Sequence, residues 1–203
     1  SSAHLLGAAV ESLHFSQWDA ESMKHLNSVP RETKLVTKEQ LEGRVVPLLD
    51  DGPPLPETTG GFYYDFYLSP QHLGEESFGK LEKLVAKLVK QKSKFERLEV
   101  SRSFALDLFS YNPFKVALIN KIPDNEKVTL YKTAGFIDLC RGPHLSDASH
   151  VQAFQVLRGS GAYWNGNNAN PYLQRLYALS FPTKEKMEAW KQMREEQEKR
   201  DHR

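Results

Sequence analysis

The sequence predicts an α+β fold in which antiparallel sheets pack against helices and one of the helices is central and buried. Three observations support this class. Residues 1–13 carry a nearly all-apolar helical pattern, residues 75–95 an amphipathic one, and residues 127–181 several β-rich runs. The helices and strands are intermixed without a regular β-α-β alternation, which argues against an α/β fold.

The composition is that of an ordinary globular protein. The chain has 203 residues, of which 39% are hydrophobic and 26% charged. Its net charge of +1 is too small to attract a polyanion through the overall field, so we do not expect a DNA-coating protein. No apolar run approaches the roughly 18 residues of a membrane span, and we expect no signal peptide. A single cysteine excludes an internal disulfide and fits a reducing compartment.

The first half of the chain is predicted to run from a buried helix through an irregular stretch to a strand. The helix covers 1–13, and a polar excursion at 16–50 follows, with a short helix at 37–43 capped by Thr37. A loop rich in proline and glycine precedes the aromatic run FYYDFYLS at 62–69, which is typical of a strand.

The middle of the chain is predicted to be mainly helical. An apolar stripe with a lysine-rich opposite face marks the helix at 75–95, and that lysine face is typical of a solvated surface. A strand follows at 95–101. Two further helices are expected, one at 103–112 with Ser103 as its cap and one starting at Pro113.

The last third is predicted to be β-rich and to end in a charged helix. Residues 127–140 read as two strands bent at Gly135, 151–164 as two more around RGSG, and 172–181 as a final strand ended by Pro182. Residues 183–203, with Thr183 as the cap, suit a solvent-exposed connecting helix.

The stretch DLCRGPH at 138–144 holds the only cysteine, four positions before a histidine. Three interpretations remain open on these residues alone. Cys140 is a small buried apolar residue, or it forms a nucleophilic pair with His144, or both bind zinc together with His4. Three ligands plus a water would suit catalytic zinc, whereas a structural site would need a fourth protein ligand.

Five stretches, taken together and in order, resemble the editing domain of threonyl-tRNA synthetase. They are SSAHLLGAA, GGFYYDFYL, FERLEVS, NPFK and DLCRGPH. The final RLYALSFPTKEKMEAWKQMREEQEKRDHR is similar to the family's exit into the linker helix before its aminoacylation core. The resemblance implies the second additional domain fold shared by threonyl- and alanyl-tRNA synthetases, with an editing domain at 1–182, a family-atypical insertion at 16–50 and a linker helix at 183–203.

The resemblance also implies a set of site residues. The family's pocket is lined by an H-x-x-x-H helix, whose second histidine matches His4 and whose first would fall immediately before Ser1. Its C-x-x-x-H segment matches Cys140 and His144. The expected catalytic residues are therefore His4, Lys115, Cys140 and His144, and the expected substrate-binding residues are Tyr63, Tyr64 and Asp138. Strand alternation allows only one of the two tyrosines to face the pocket.

The implied activity is hydrolysis of serine from mischarged tRNA(Thr), with water as the nucleophile and no cofactor. Related alanyl-tRNA editing domains hold zinc with the same two motifs, so zinc at His4, Cys140 and His144 is the weaker alternative. The implied partners are the tRNA(Thr) 3′ end and the rest of a synthetase chain, with no membrane and no DNA. This chain alone should not attach threonine to tRNA. A cytoplasmic location is expected, with an organellar form as the alternative.

A different class of function is also open, in which the chain is a non-catalytic module. Such a module would keep the editing fold and bind tRNA or a protein. The position of the first motif histidine before Ser1 and the extra residues at 16–50 both suit it. Turnover of seryl-tRNA separates the two hypotheses.

Overall fold

The computed structural model describes residues 1–15, 28–42, 44, 47–55, 61–69 and 72–201. Five α-helices lie in this part of the chain. Their bounds are Ser2–Phe15 for α1, Phe78–Lys90 for α2, Arg102–Leu108 for α3, Pro113–Ile119 for α4 and Lys184–Asp201 for α5. No helix among the described residues is long and apolar enough to cross a membrane.

Seven strands form two antiparallel sheets. The strands are Leu48–Leu49 (β1), Phe62–Tyr67 (β2), Glu96–Val100 (β3), Val128–Thr133 (β4), Phe136–Leu139 (β5), Ala153–Tyr163 (β6) and Tyr172–Phe181 (β7). The larger sheet has the order β1-β2-β7-β6 and the smaller one the order β3-β4-β5. The predicted α+β class with antiparallel sheets is confirmed.

Helix α1 is the central helix, and the prediction that it is buried is confirmed. Leu5, Leu6, Ala9 and Val10 have no exposed surface. The helix packs against α2, β2 and β5, so it contacts a strand of each sheet. A helix that is apolar on most sides is stable only when it is surrounded in this way. This packing carries His4 into the interior between the two sheets.

The β4–β5 hairpin has the predicted bend at Gly135. Ala134 and Gly135 both have positive φ, at 50° and 91°. Two consecutive residues of positive φ make the tight turn whose twist matches two antiparallel strands. The turn sets the register in which Asp138 on β5 lies opposite Tyr131 on β4.

Three predicted details are wrong, and each has a local physical cause. The cap of α3 is Ser101 rather than Ser103, because the Ser101 side chain accepts a hydrogen bond of 3.1 Å from the Phe104 amide. Residues 153–163 form one strand rather than two, with the register shift at Leu157 absorbing the irregularity. The short helix expected at 37–43 is a single 3-10 turn at Glu39–Leu41, next to which Thr37 and Gln40 exchange hydrogen bonds.

The stretch at 16–50 contributes more to the fold than its polar sequence suggests. Residues 16–27 lie outside the described residues. Further on, Val29, Val36 and Leu41 are buried, and Leu48 and Leu49 form the edge strand β1, which the sequence did not predict. The end of this stretch therefore reaches the same sheet as β2 and continues into the site described below.

Candidate functional site

Asp138 lies at the centre of the polar cluster in the interior. It is on β5 and only 3% exposed. One of its carboxylate oxygens accepts hydrogen bonds from the Lys115 ammonium and, at 2.7 Å, from the Leu139 amide. The other accepts a hydrogen bond from the Tyr64 hydroxyl and lies 3.4 Å from Nε2 of His4. A buried carboxylate needs this degree of compensation to remain charged.

Lys115 is held in place by residues from two other elements. Its ammonium donates to Asp138 and, at 2.5 Å, to the backbone carbonyl of Asp50, and the residue is 3% exposed. Asn112 caps α4 and donates its side-chain amide to the Leu49 carbonyl at 2.8 Å. The start of α4 and strand β1 are thereby fixed together, and Lys115 points between them at Asp138.

Asp50 adds a second buried carboxyl group near the lysine. Its side chain accepts a hydrogen bond of 3.3 Å from the indole of Trp164. Burial raises the pKa of Asp50 to about 6, and the charge of Lys115 partly opposes that rise. Neither Asp50 nor Trp164 was among the predicted site residues.

His4 lies beside Asp138, and its imidazole is neutral at physiological pH. Burial lowers its pKa to about 4, although the Asp138 carboxylate acts in the opposite direction. Neither ring nitrogen has a hydrogen bond of good geometry to the described residues, and Nε2 at 3.4 Å from Asp138 is only a loose contact. A buried, neutral histidine with uncommitted nitrogens can accept a proton from a substrate or a water.

Cys140 and His144 form the outer part of the site. The thiol sulfur lies 3.1 Å from Nε2 of His144, and the other ring nitrogen of His144 lies 3.1 Å from the Ser1 hydroxyl. Burial lowers the pKa of His144 to about 4, so this imidazole is neutral as well. The rings of His4 and His144 meet edge to face with their centroids 4.5 Å apart.

Two aromatic residues that the sequence did not single out fix the His144 ring. Tyr131 meets it edge to face at 4.2 Å between centroids, and Phe95 stacks on it at 5.7 Å. Both lie in runs whose strand pattern was predicted, on β4 and just before β3. Their contact with His144 depends on the pairing of the small sheet, which no local pattern reveals.

The structure brings Tyr64, and not Tyr63, to the site. Tyr64 is 1% exposed and binds Asp138, and its pKa is raised well above the usual range by burial and by that carboxylate. Tyr63 projects from the opposite face of the sheet, where it packs on Tyr177 and under the Arg175 guanidinium at 3.9 Å. Tyr63, which was expected to contact the substrate, therefore lies outside this polar cluster.

His4, Cys140 and His144 could in principle hold a metal ion. Their ligand atoms all lie within 4.8 Å of one another. Zinc bonds of about 2.0–2.3 Å place tetrahedral ligand atoms at most about 3.8 Å apart, and the Cys140 sulfur lies 3.1 Å from Nε2 of His144. The neutral imidazoles also suit a metal, so these three side chains are the ones that would hold an ion.

Comparisons with known proteins place the segment that holds part of this site in a known family. Residues 128–177, which include Asp138, Cys140 and His144, match the family described as the threonyl and alanyl tRNA synthetase second additional domain. The chain is 40% identical over 148 residues to a probable cytoplasmic threonine–tRNA ligase 1 of Dictyostelium discoideum, covering 73% of this chain and 21% of that protein.

Two other relatives come from a plant and a bacterium. The mitochondrial threonine–tRNA ligase 1 of Arabidopsis thaliana is 43% identical over 143 residues, covering 70% of this chain and 20% of the relative. A threonine–tRNA ligase of Staphylococcus aureus is 43% identical over 148 residues, covering 73% of this chain and 23% of the relative. The chain thus spans about a fifth of the length of these relatives, which include cytoplasmic and mitochondrial proteins.

Proposed function

We propose that this chain, which belongs to the family of threonyl-tRNA synthetase editing domains, hydrolyses the ester that joins serine to the terminal adenosine of tRNA(Thr). The observation that carries the proposal is the convergence of five side chains from separate parts of the sequence. His4, Lys115, Asp138, Cys140 and His144 come from α1, α4 and the segment that begins with β5, and they meet at one polar site.

The chemical need for such a site follows from the difference between two amino acids. Serine lacks only the methyl group of threonine, and a methyl group provides only about 10- to 200-fold discrimination in a binding pocket. An aminoacylation site that accepts threonine therefore also admits serine. A second site that is too small for threonine can use the same methyl group to exclude it and remove serine alone.

His4 is the group proposed to activate the attacking water, and the Asp138 carboxylate beside it would stabilise the imidazolium that forms. Its imidazole is neutral at physiological pH, and no described residue holds either ring nitrogen in a hydrogen bond of good geometry. In the proposed step, water transfers a proton to His4 as its oxygen attacks the ester carbonyl. The neutral His144 and the thiol of Cys140 lie next to His4 and would orient the seryl group.

Lys115 is better suited to donate than to accept a proton. Its ammonium is paired with Asp138, and two of its three protons are directed at Asp138 and the Asp50 carbonyl. The third remains for the substrate, where a positive donor stabilises the oxyanion and then protonates the departing ribose oxygen. The bond between the carbonyl carbon and the ribose oxygen breaks, giving free serine and the terminal hydroxyl of the tRNA, and the proton taken up by His4 passes through solvent to restore the Lys115 ammonium. Asp138 and Tyr64 would position Lys115 and His4.

The remaining assignments complete the proposal. The reaction uses water and no metal. The partners are the tRNA(Thr) acceptor end and the rest of a synthetase chain, without membrane or DNA, in the cytoplasm. Residues 1–182 form the editing unit, 16–50 are an insertion, and 183–203 are a linker helix.

The experiment is single-turnover deacylation of seryl-tRNA(Thr) by the wild-type protein, Lys115→Met and Lys121→Met. Lys121 is an exposed lysine just after α4 and serves as the matched control. We expect Lys115→Met to lower the rate at least about 100-fold, as the loss of an oxyanion donor does, and Lys121→Met to leave it unchanged. Circular dichroism checks that each variant is folded. Absence of hydrolysis by the wild-type protein would instead support the non-catalytic binding module.

A further inference from the structure

A cavity shares Phe136 with the surroundings of His4. The Phe136 ring is 6.2 Å from the His4 ring and also forms a wall of this cavity, which has a volume of about 480 Å³. The remaining walls come from α1, from residues just after α3 and from the β4–β5 turn. This volume lies in the range of small-molecule sites in proteins.

Among the described residues of the cavity wall, Glu11 supplies the only carboxylate. It lies seven residues after His4, on the same face of α1, and it is half-buried. Among the described residues, it makes no hydrogen bond or ion pair. Its neighbours in the wall are mostly apolar, including Ala8, Phe109 and Ile137, with the hydroxyl groups of Ser12 and Tyr111 as the other polar groups.

An uncompensated carboxyl group in an apolar cavity keeps its proton. Burial raises the pKa of Glu11 to about 8, the Asp138 carboxylate acts in the same direction, and Lys115 acts in the opposite one. Burial likewise raises the pKa of Tyr111, with Glu11 contributing to the rise. At neutral pH, the Glu11 carboxyl is therefore protonated. A cationic ligand that pairs with this carboxyl would displace the proton.

We propose that this cavity binds a small primary ammonium ion carried on a compact apolar group, with Glu11 as the counter-ion. An anionic ligand would be repelled by the charge of Asp138, which acts on Glu11 from outside the cavity wall, and a neutral apolar ligand would leave the carboxyl without a partner. An ammonium group satisfies the carboxylate and can also donate to the Tyr111 hydroxyl, while the apolar body contacts Phe109, Phe136 and Ile137. The proposal does not depend on the hydrolytic activity.

The test is isothermal titration calorimetry with benzylamine at pH 7, repeated in buffers of different ionisation enthalpy. Formation of the ion pair displaces the proton from Glu11, so close to one proton should be released for each ligand bound. Benzyl alcohol has the same shape without the charge, and it should bind more weakly and release no proton.

Two pairs of proteins make the test specific. Glu11→Gln keeps the shape of the side chain and should weaken benzylamine binding at least about tenfold, with no proton release. Ser12→Trp should occlude the cavity rim and abolish binding, whereas its control Ser12→Ala should bind as the wild type does. Equal binding by Glu11→Gln, binding without proton release, or no saturable binding to the wild type at millimolar ligand would each overturn the proposal.

Discussion

Asp138 connects the residues proposed to act on the substrate, because Lys115, Tyr64 and His4 all approach its carboxylate. Asp138→Asn should therefore lower both stability and activity. The substitution leaves the Lys115 ammonium buried without a countercharge, and breaking a buried ion pair costs about 3–5 kcal/mol. We expect urea denaturation to show a decrease of that size in the free energy of unfolding, together with loss of deacylation.

The control for this prediction is Asp107→Asn. Asp107 pairs with Arg31 at 3.2 Å, but both side chains are largely exposed. Exposed pairs contribute about 0–1 kcal/mol, so this variant should be nearly as stable as the wild type. Similar decreases in the free energy of unfolding in the two variants would show that the buried Asp138 pair stabilises the fold no more than an exposed pair does.

His4 should make the folded state sensitive to acid. Its pKa is about 4 in the folded protein and 6.5 as its ordinary value, so the unfolded chain binds a proton first as the pH falls. The contribution of neutral His4 to the free energy of unfolding is fully present above pH 6.5 and is lost as the pH falls toward 4. The linkage relation gives a loss of roughly 3 kcal/mol between pH 7 and pH 4.

The measurement is urea denaturation at pH 7 and pH 4 for the wild type and His4→Gln. Other groups titrate in both proteins, so the difference between the two pH dependences isolates His4. Between pH 7 and pH 4, we expect the free energy of unfolding of the variant to fall by roughly 3 kcal/mol less than that of the wild type. Parallel pH dependences would mean that His4 does not resist protonation in the folded protein.

At the scale of elements, the Tyr64 ring is held between α1 and the turn that follows β1. A methyl group placed on Gly52 would lie 2.6 Å from the Tyr64 ring, and one placed on Gly7 would lie 3.1 Å from it. These contacts leave no room for a side chain on either glycine. They fix the hydroxyl that donates to Asp138, so the close approach of two elements determines the geometry of the polar cluster.

Gly52→Ala should therefore disturb the site from a distance. Overpacking of this kind costs about 1–3 kcal/mol, and displacement of Tyr64 should lower the deacylation rate. Gly79→Ala is the matched control, since a methyl group there meets nothing within 4 Å and Gly79 lies in α2. That control should gain about 0.5–1 kcal/mol. A normal rate in Gly52→Ala would show that Tyr64 does not position Asp138.

The elements that the sequence predicted well are those with a strong local signal. The spacing of apolar residues predicts helices α1 and α2 and strand β2. The glycine at a turn position predicts the bend at Gly135. Strand β1 could not be predicted in this way, because two leucines carry no period and the strand exists only by pairing with β2. The cap of α3 was missed because Ser101 and Ser103 are both acceptable capping residues in the sequence.

The same distinction applies to the candidate site. Resemblance identified Asp138, Lys115, His4, Cys140 and His144, and the structure brings them together. The supporting residues Asp50, Tyr131 and Trp164 reach the cluster through contacts distant in sequence. Local sequence carried no signal for those contacts, and it could not decide which of Tyr63 and Tyr64 faces inward.

At the scale of the whole molecule, the proposed hydrolysis proceeds without a metal. The ligand atoms of His4, Cys140 and His144 lie within 4.8 Å of one another and could hold an ion, but the proposed steps use only side chains and water. Dialysis against a chelator should leave the deacylation rate of the wild type unchanged, and added zinc should not raise it. Loss of activity with the chelator and its recovery with zinc would revive the metal-bound alternative.

The decisive measurement compares the hydrolysis of seryl-tRNA(Thr) and threonyl-tRNA(Thr) by the same protein under single-turnover conditions. Serine should be released faster by about 10- to 200-fold or more, because the extra methyl group of threonine must be excluded from the pocket. Equal release of the two amino acids, or release of neither, would contradict the claim that this site removes serine from tRNA(Thr).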